Sequence, residues 1–552
     1  MVLYRIFTIL TACLGFTMTY AVDGPATTYG NLSVGKFYTY QLAPHASYPD
    51  RWPNQWCSGA KLTDENLGQG WPLDDWVDWL EQEDYTLEIV LDLGSVCEVD
   101  KLRVMLTSRL DWGIQFPSAV RFYYKTDLSD SWQQYGISQS CGGDTAGYSA
   151  KWVTVQDNFE SMRYIKYELD GPVEAHMFVG EIEAWGNIEN SWKAVPDWGC
   201  YQGAFPSNST GSMFISTYEG VADKQMSMAL WYANMGASDF KDYFGSLWRS
   251  QYGLSYNIDY QGARFLEVGW EPETNITAEN IASGYYDSYF NTFFEESVDY
   301  SHRLGNTDPV WLRPMSEMNG GWTFPGNAAA WGGHPQEFRW AWRRMFNIAQ
   351  QVGAADHHIF IWSPNGYTYS GEEHMPNHYY PGDQYVDWVG ISVYEQGEIP
   401  YPEDTLNGTC GVGGFDFYGT YSYKPIIFSE GAFRGGDGID GYKWIRQWFE
   451  IPRKYPMVKA LVWFYIHDDD KNVIDEEPFR SYYRSFLSDS YFLTQSIAGT
   501  IDNNGDGNVD ILDYSHIADN WSLGVSNLQG DIDGNNDVNI EDVLIFASEW
   551  LQ

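Results

Sequence analysis

Two glutamates stand where paired carboxyl chemistry could operate. Glu317 lies in Arg313-Pro-Met-Ser-Glu-Met-Asn-Gly-Gly-Trp322, and Glu430 lies in Lys424-Pro-Ile-Ile-Phe-Ser-Glu-Gly431. Each follows directly on a short apolar run. Two carboxyl groups in different ionisation states can split a glycosidic bond. The protonated one donates to the leaving oxygen, the ionised one attacks the anomeric carbon, and a separation of about 5–5.5 Å gives retention of configuration. A single Glu is ordinarily an ion-paired or capping acid. The joint placement of these two is what sets them apart.

The elements that must position them are legible as eight apolar runs. They are Tyr201–Phe205, Met226–Trp231, Ala263–Gly269, Pro309–Pro314, His358–Trp362, Val386–Ile391, Pro425–Ser429 and Lys459–Phe464. Longer polar or amphipathic segments follow each, with helices predicted over 278–304 and 335–352. In the second helix Phe338, Trp342, Met345, Phe346 and Ala349 recur at helical spacing. Alternating strands and helices predict parallel βα units, and eight of them over 197–490 predict a (β/α)8 barrel, or TIM barrel. In that fold catalytic groups sit at the C-terminal ends of the strands. Glu317 follows the fourth run and Glu430 the seventh, so both are placed on one rim.

With these residues in hand, block 197–490 resembles glycoside hydrolase family 26, best known for endo-β-1,4-mannanases. The resemblance rests on Pro309–Trp322, Trp362-Ser-Pro-Asn365, Tyr380-Pro-Gly-Asp383, Tyr385–Gly390, Tyr394 and Lys424–Gly431, in the family's order. It implies Glu317 as acid/base, Glu430 as nucleophile and no catalytic cofactor. Tyr394 is implied as a hydrogen-bond donor to the nucleophile. Arg313, one layer inward, either positions a carboxylate or forms a structural ion pair. Trp322, Trp362 and Trp463 are candidate sugar platforms or core residues, with Trp463 favoured as a platform because it ends strand eight. One departure stands out: Ser316 occupies the position where family members usually carry His. The family also contains lichenase-like and β-1,3-xylanase activities, so mannan is the favoured substrate among several. A non-catalytic glycan-binding protein is the second reading.

Residues 24–187 have a different texture. Short alternating runs such as Tyr85–Leu93, Lys101–Leu106, Val120–Lys125 and Tyr164–Glu168 predict an antiparallel β-sandwich. The segments Asn31-Leu-Ser-Val-Gly-Lys36, Lys61–Asp64 and Phe178–Gly186 resemble the discoidin-like, galactose-binding fold. This implies a carbohydrate-binding domain, with a structural spacer as the alternative.

Residues 495–552 contain Asp502–Asp513 and its recurrence Asp531–Asp542. Oxygen ligands at loop positions 1, 3, 5, 7 and 12 suit calcium. In the first loop these are Asp502, Asn504, Asp506, Asn508 through its carbonyl, and Asp513. In the second they are Asp531, Asp533, Asn535, Asp537 through its carbonyl, and Asp542. The tandem pair resembles a type I dockerin, a small all-α module with two calcium sites. It implies a cohesin-bearing partner, with a stand-alone calcium-stabilised tail as the alternative.

The net charge of −43 disfavours a nucleic-acid partner and favours neutral glycans. Residues 1–21 read as an export signal, with Arg5 ahead of a short apolar run. Secretion is expected, with lipoprotein anchoring at Cys13 as the alternative. No run is long enough to span a membrane, and a monomer is expected. Cys57, Cys97, Cys141, Cys200 and Cys410 remain after the signal, an odd number without metal spacing. Cys200 and Cys410 are one conceivable bridge. His357 and His358 begin strand five, at the end of the barrel opposite the predicted rim. His374, His378 and His467 form no recognisable metal set.

Overall fold

A computed structural model describes residues 27–51, 60–67, 74–189, 193–196, 198–208, 215–235, 265–272, 276–304, 309–320, 334–367, 375–395, 400–408, 415–435, 438–467 and 473–494. The export signal, Trp322, Cys57, Cys410 and both calcium loops lie outside these residues.

The N-terminal part is an antiparallel sheet of β1 (Thr27–Asn31), β2 (Phe37–Tyr40), β3 (Val77–Trp79), β4 (Tyr85–Ser108), β5 (Val120–Lys125), β6 (Gln133–Gln139), β7 (Ser149–Gly171) and β8 (Met177–Glu189). The antiparallel strands predicted for this part are present, and their hydrogen bonding is continuous from strand to strand. β4 and β7 run 24 and 23 residues and pair along their length, with register shifts between Asp92 and Cys97 and between Val99 and Lys101. Such irregularities bend a strand, and the sheet encloses a core that includes Trp79, Leu87, Ile89, Val104, Phe122, Ile165 and Tyr167.

The second part is a closed parallel barrel. Its strands are β9 (Cys200–Asn208), β10 (Met228–Met235), β11 (Phe265–Pro272), β12 (Val310–Pro314), β13 (His358–Trp362), β14 (Trp388–Tyr394), β15 (Ile426–Ala432) and β16 (Val458–His467). Neighbours pair in that order, and β9 closes the ring against both β16 and β10. A two-residue strand, β17 (Phe492–Leu493), adds to β9. Each of the eight predicted runs coincides with a strand among the described residues. Inside the barrel lie Met228, Leu230, Trp311, Ile359, Ile361, Trp388, Ile427 and Val462. The helix predicted over 278–304 is divided into Ala278–Ala282 and Asp287–Leu304. Gly284, at φ +88°, breaks it with a left-handed turn that an L-residue rarely adopts. Cys200 is a buried free thiol, and Cys410, its conceivable partner, lies outside the described residues. Among the described residues no helix is long and apolar enough to cross a membrane.

The two parts meet along helix Pro335–Gln351, through the same Asn31–Lys36 segment that carries the discoidin-like resemblance. Lys36 Nζ donates to Asn347 Oδ1 at 3.3 Å and Gln350 Oε1 at 3.1 Å, and burial lowers its pKa to about 8. Asn347 returns a bond to the Gly35 carbonyl at 2.8 Å, and the Tyr385 hydroxyl donates to the Val34 carbonyl at 2.6 Å. A Cβ on Gly35 would lie 2.4 Å from Arg343 Cδ, so this close approach requires glycine.

Candidate active site

Strand alternation decides which side chains reach the barrel axis. In β12 Trp311 belongs to the inner cluster, and Arg313, two residues on, also points inward and is fully buried. In β14 Trp388, Gly390, Ser392 and Tyr394 share the inner phase. In β10 the phase of Met228 and Leu230 continues to Tyr232, and in β11 that of Phe265 continues through Glu267 to Glu271. These residues converge below and at the rim.

Glu430 reaches this group because β15 breaks its alternation. Ile427 and Ser429 face inward, so regular pleating would send Glu430 outward toward the helices. The pairing with β14 instead shifts, with Gly390 opposite Ile427 but Ser392 opposite Glu430. That bulge turns Glu430 inward, and Gly431 then faces out, where a Cβ would meet the Trp448 ring at 2.6 Å. The Glu430 carboxylate accepts three hydrogen bonds. Tyr394 Oη donates to Oε1 at 2.6 Å, Arg313 Nη1 to Oε2 at 3.0 Å, and Tyr232 Oη also to Oε2. Three donors on two oxygens suit an ionised carboxylate. Burial, with the Glu430 charge next, raises both tyrosine pKa values well above the usual range, so both remain donors. Burial works against the Arg313 charge, but Tyr232, Glu430, Glu267 and Glu317 outweigh it and keep the guanidinium charged. Its second arm, Nη2, donates to Ser392 Oγ at 3.0 Å.

Glu317 sits in the turn after β12. Met315 and Glu317 both have positive φ, 51° and 55°. A residue with a Cβ holds that conformation only where its surroundings impose it. Here the Met315 N–H donates to the Trp270 carbonyl at 2.9 Å and the Glu317 N–H to the Ser363 carbonyl at 2.8 Å. Asn365 Nδ2 donates to Glu317 Oε1 at 2.7 Å. Asn365 is itself fixed by two bonds with Asn319, of 2.8 and 2.9 Å, and bridges to Ser392, the residue opposite Glu430. Both glutamates act on Tyr232 and on Arg313, so they share one electrostatic environment.

Ser316, the departure from the usual His, donates through Oγ and its backbone N–H to Glu271 Oε1. Burial raises the Glu271 pKa to about 7. Ser316 and Arg313 pull it down, and the neighbouring Glu317 charge adds to the rise. Deeper in the barrel, burial raises Glu267 to about 8, with Glu430 adding and Arg313 opposing. Neither oxygen of Glu267 has a hydrogen-bond partner among the described residues. A neutral carboxyl is the physically accessible state there.

The structure brings together Glu317, Glu430, Arg313, Ser316 and Tyr394. It does not bring Trp362 or Trp463 to them. Ile359 and Ile361 face inward, so Trp362 faces the helices, against Tyr380 and Tyr421. Ala460 and Val462 face inward, so Trp463 is turned out against Trp444, Trp448 and Tyr483. Both indoles are buried outside the barrel rather than presented as platforms. The aromatic on the inner phase of β16 is Phe464, half-buried and stacked on Phe205 at 4.8 Å. Sequence reasoning also missed Tyr232, Glu271, Asn365 and Ser392, which belong to different strand ends. Glu267 had a visible signal, a carboxyl between the apolar residues Phe265, Leu266 and Val268.

The fold and site define a class: a parallel (β/α)8 barrel with a donor-held glutamate at the C-terminal end of strand seven and a second glutamate in the turn after strand four. Residues 254–406 match the sequence model of glycosyl hydrolase family 26. Among curated proteins, the chain is 26% identical over 243 residues to endoglucanase H of Acetivibrio thermocellus, covering 40% of this chain and 24% of that protein. It is 26% identical over 121 residues to β-1,3-xylanase TXYA of a Vibrio species, covering 22% of this chain and 23% of that protein. It is 26% identical over 179 residues to mannan endo-1,4-β-mannosidase of Bacillus subtilis, covering 31% of this chain and 44% of that protein. The chain thus spans about a quarter of the length of the first two relatives. A β-mannanase structure from Bacteroides ovatus shares 18% identity at a TM-score of 0.39, covering 54% of this chain and 90% of that one.

Proposed function

We propose that this chain is a family 26 glycoside hydrolase that cleaves a neutral β-linked polysaccharide with retention, β-1,4-mannan being the favoured substrate. The observation that carries the reading is the Glu430 carboxylate, held by Tyr394, Arg313 and Tyr232 on a rim that also presents Glu317. Three donors that fix the orientation of this carboxylate, beside a second glutamate, suit the role of nucleophile.

In the first step a Glu430 oxygen attacks the anomeric carbon while Glu317 gives its proton to the glycosidic oxygen. The C–O bond breaks and a glycosyl ester remains on Glu430. In the second step Glu317, now ionised, takes a proton from water. The resulting hydroxide equivalent attacks the same carbon, and Glu430 leaves as carboxylate. The matches to mannanases and β-1,3-xylanases keep the second substrate class in view. The reaction needs no cofactor.

The remaining modules complete the proposal. The export signal directs secretion, with anchoring at Cys13 as the alternative. The N-terminal sheet domain binds glycan, and residues 495–552 bind two calcium ions and a cohesin. The test is reducing-end release by the mature protein, with calcium, on galactomannan, glucomannan, mixed-linkage β-glucan and β-1,3-xylan, beside a Glu430→Ala control. Activity on one glycan, lost in the control, supports the reading and names the sugar. Silence on all four from a folded protein overturns the substrate assignment.

A further inference from the structure

The N-terminal sheet domain carries a cluster with no part in the barrel's chemistry. Asp78, in β3, is fully buried, and its Oδ2 lies 2.7 Å from His176 Nδ1 and 3.3 Å from His45 Nδ1. The three ligand-capable atoms all lie within 4.8 Å of one another. The other Asp78 oxygen, Oδ1, is buried and has no hydrogen-bond partner among the described residues. A buried carboxylate that leaves an oxygen unpaired carries a desolvation cost that hydrogen bonding inside the cluster does not recover. A cation would offset it.

We propose that His45, Asp78 and His176 form a site for a divalent transition metal of the zinc type. Two imidazole nitrogens and one carboxylate oxygen suit zinc. An all-oxygen shell, which calcium and magnesium need, is absent. In a tetrahedral site with bonds of about 2.0–2.1 Å, neighbouring ligand atoms lie about 3.3 Å apart. The observed triangle reaches that geometry by shifts of less than about 1.5 Å, and both histidine side chains, 34% and 31% exposed, have room to make them. Their exposed side leaves the fourth position to water.

The backbone already holds two of the three segments in place. The His45 N–H donates to the Asp78 carbonyl at 2.7 Å, and the Asp78 N–H donates to the Tyr48 carbonyl at 3.1 Å. His176 stands just before β8, in which Phe178 is registered opposite Asp78. The two imidazoles pack edge to face, with centroids 5.3 Å apart. A bound metal would tie the loop after β2 to β3 and to the entry of β8. Asp78 and His176 are 98 residues apart in sequence, so no local motif announces the site.

The test uses the full chain with excess calcium present, so that the acidic loops of 502–513 and 531–542 are filled with their oxygen-preferring ion. The protein is loaded with zinc, dialysed, and its zinc counted by elemental analysis. Cobalt(II) is titrated in parallel as a visible-absorption probe of tetrahedral nitrogen and oxygen ligation. One zinc per chain is expected. His45→Gln, a partly exposed change that leaves the core intact, is expected to weaken binding at least as much as loss of an outer-shell partner does, about 10- to 100-fold. The double variant His45→Gln, His176→Gln is expected to lose both the zinc and the cobalt band, with an unchanged circular dichroism spectrum. Wild type that retains no zinc overturns the proposal. So does zinc content that is the same in wild type and the double variant, since the metal then sits elsewhere.

Discussion

Arg313 spans the layer beneath the rim, placing one guanidinium nitrogen 3.0 Å from Glu430 Oε2 and the other 3.0 Å from Ser392 Oγ. Because Ser392 is the register partner of Glu430, a single planar fork fixes the bulge and the carboxylate it presents. Replacing Arg313 by Met leaves the buried Glu430 charge without its cation. Breaking such a pair costs about 3–5 kcal/mol, which denaturant unfolding will read. Arg313→Lys keeps the charge but loses the fork, so kcat is expected to fall far more than KM rises.

The two glutamates separate by their dependence on the leaving group. Glu317→Gln is expected to lose about 10²–10⁴-fold in kcat/KM on polysaccharide. It should lose far less on an aryl glycoside whose leaving group needs no proton. Glu430→Gln should lose at least about 10³-fold on both. Equal losses for the two variants on both substrates would contradict the assignment of roles.

Tyr232 and Tyr394 donate to different oxygens of Glu430. Removing one donor to a charged partner is worth about 1.5–3 kcal/mol. Tyr394→Phe and Tyr232→Phe should therefore each lower kcat about 10- to 150-fold. Their combined loss is expected to differ from the product of the two, because both hydroxyls serve one carboxylate.

Glu267 and Glu271 make stability depend on pH. Their folded pKa values, about 8 and about 7, lie above the ordinary glutamate value. Between the unfolded and folded values the native state binds more protons, so stability falls as pH rises through that window, by up to about 1.4 kcal/mol per pH unit for each group. Below the unfolded value there is no such slope. Glu267→Gln should flatten the loss of melting temperature between about pH 5 and 8 relative to wild type. An identical slope in both proteins would contradict the burial argument.

Trp463 and Phe464 are neighbours with opposite duties. Trp463→Ala opens a cavity between β16 and the helices and should cost about 3–5 kcal/mol of stability with little change in KM per folded enzyme. Phe464→Ala should raise KM and spare most of the stability, because the ring is only half-buried and faces the mouth beside Phe205.

The sequence by itself determined the barrel, because eight apolar runs at βα spacing leave few other ways to bury them. It also pointed to Glu317 and Glu430, because acids directly after strands four and seven stand out against apolar runs. It named Arg313 and Tyr394 through their motifs. What only the tertiary structure decided is direction and company. Regular alternation read along β15 turns Glu430 away from the axis, and only the bulge against β14 turns it back. The same alternation places Trp463 against the helices and Phe464 at the mouth, a distinction that hangs on one residue of phase. Tyr232, Glu271 and Asn365 join the site from three other strand ends, and His45, Asp78 and His176 meet across long stretches of chain. Such meetings depend on register and closure, which are set by the packing of the whole sheet and not by any local stretch of sequence.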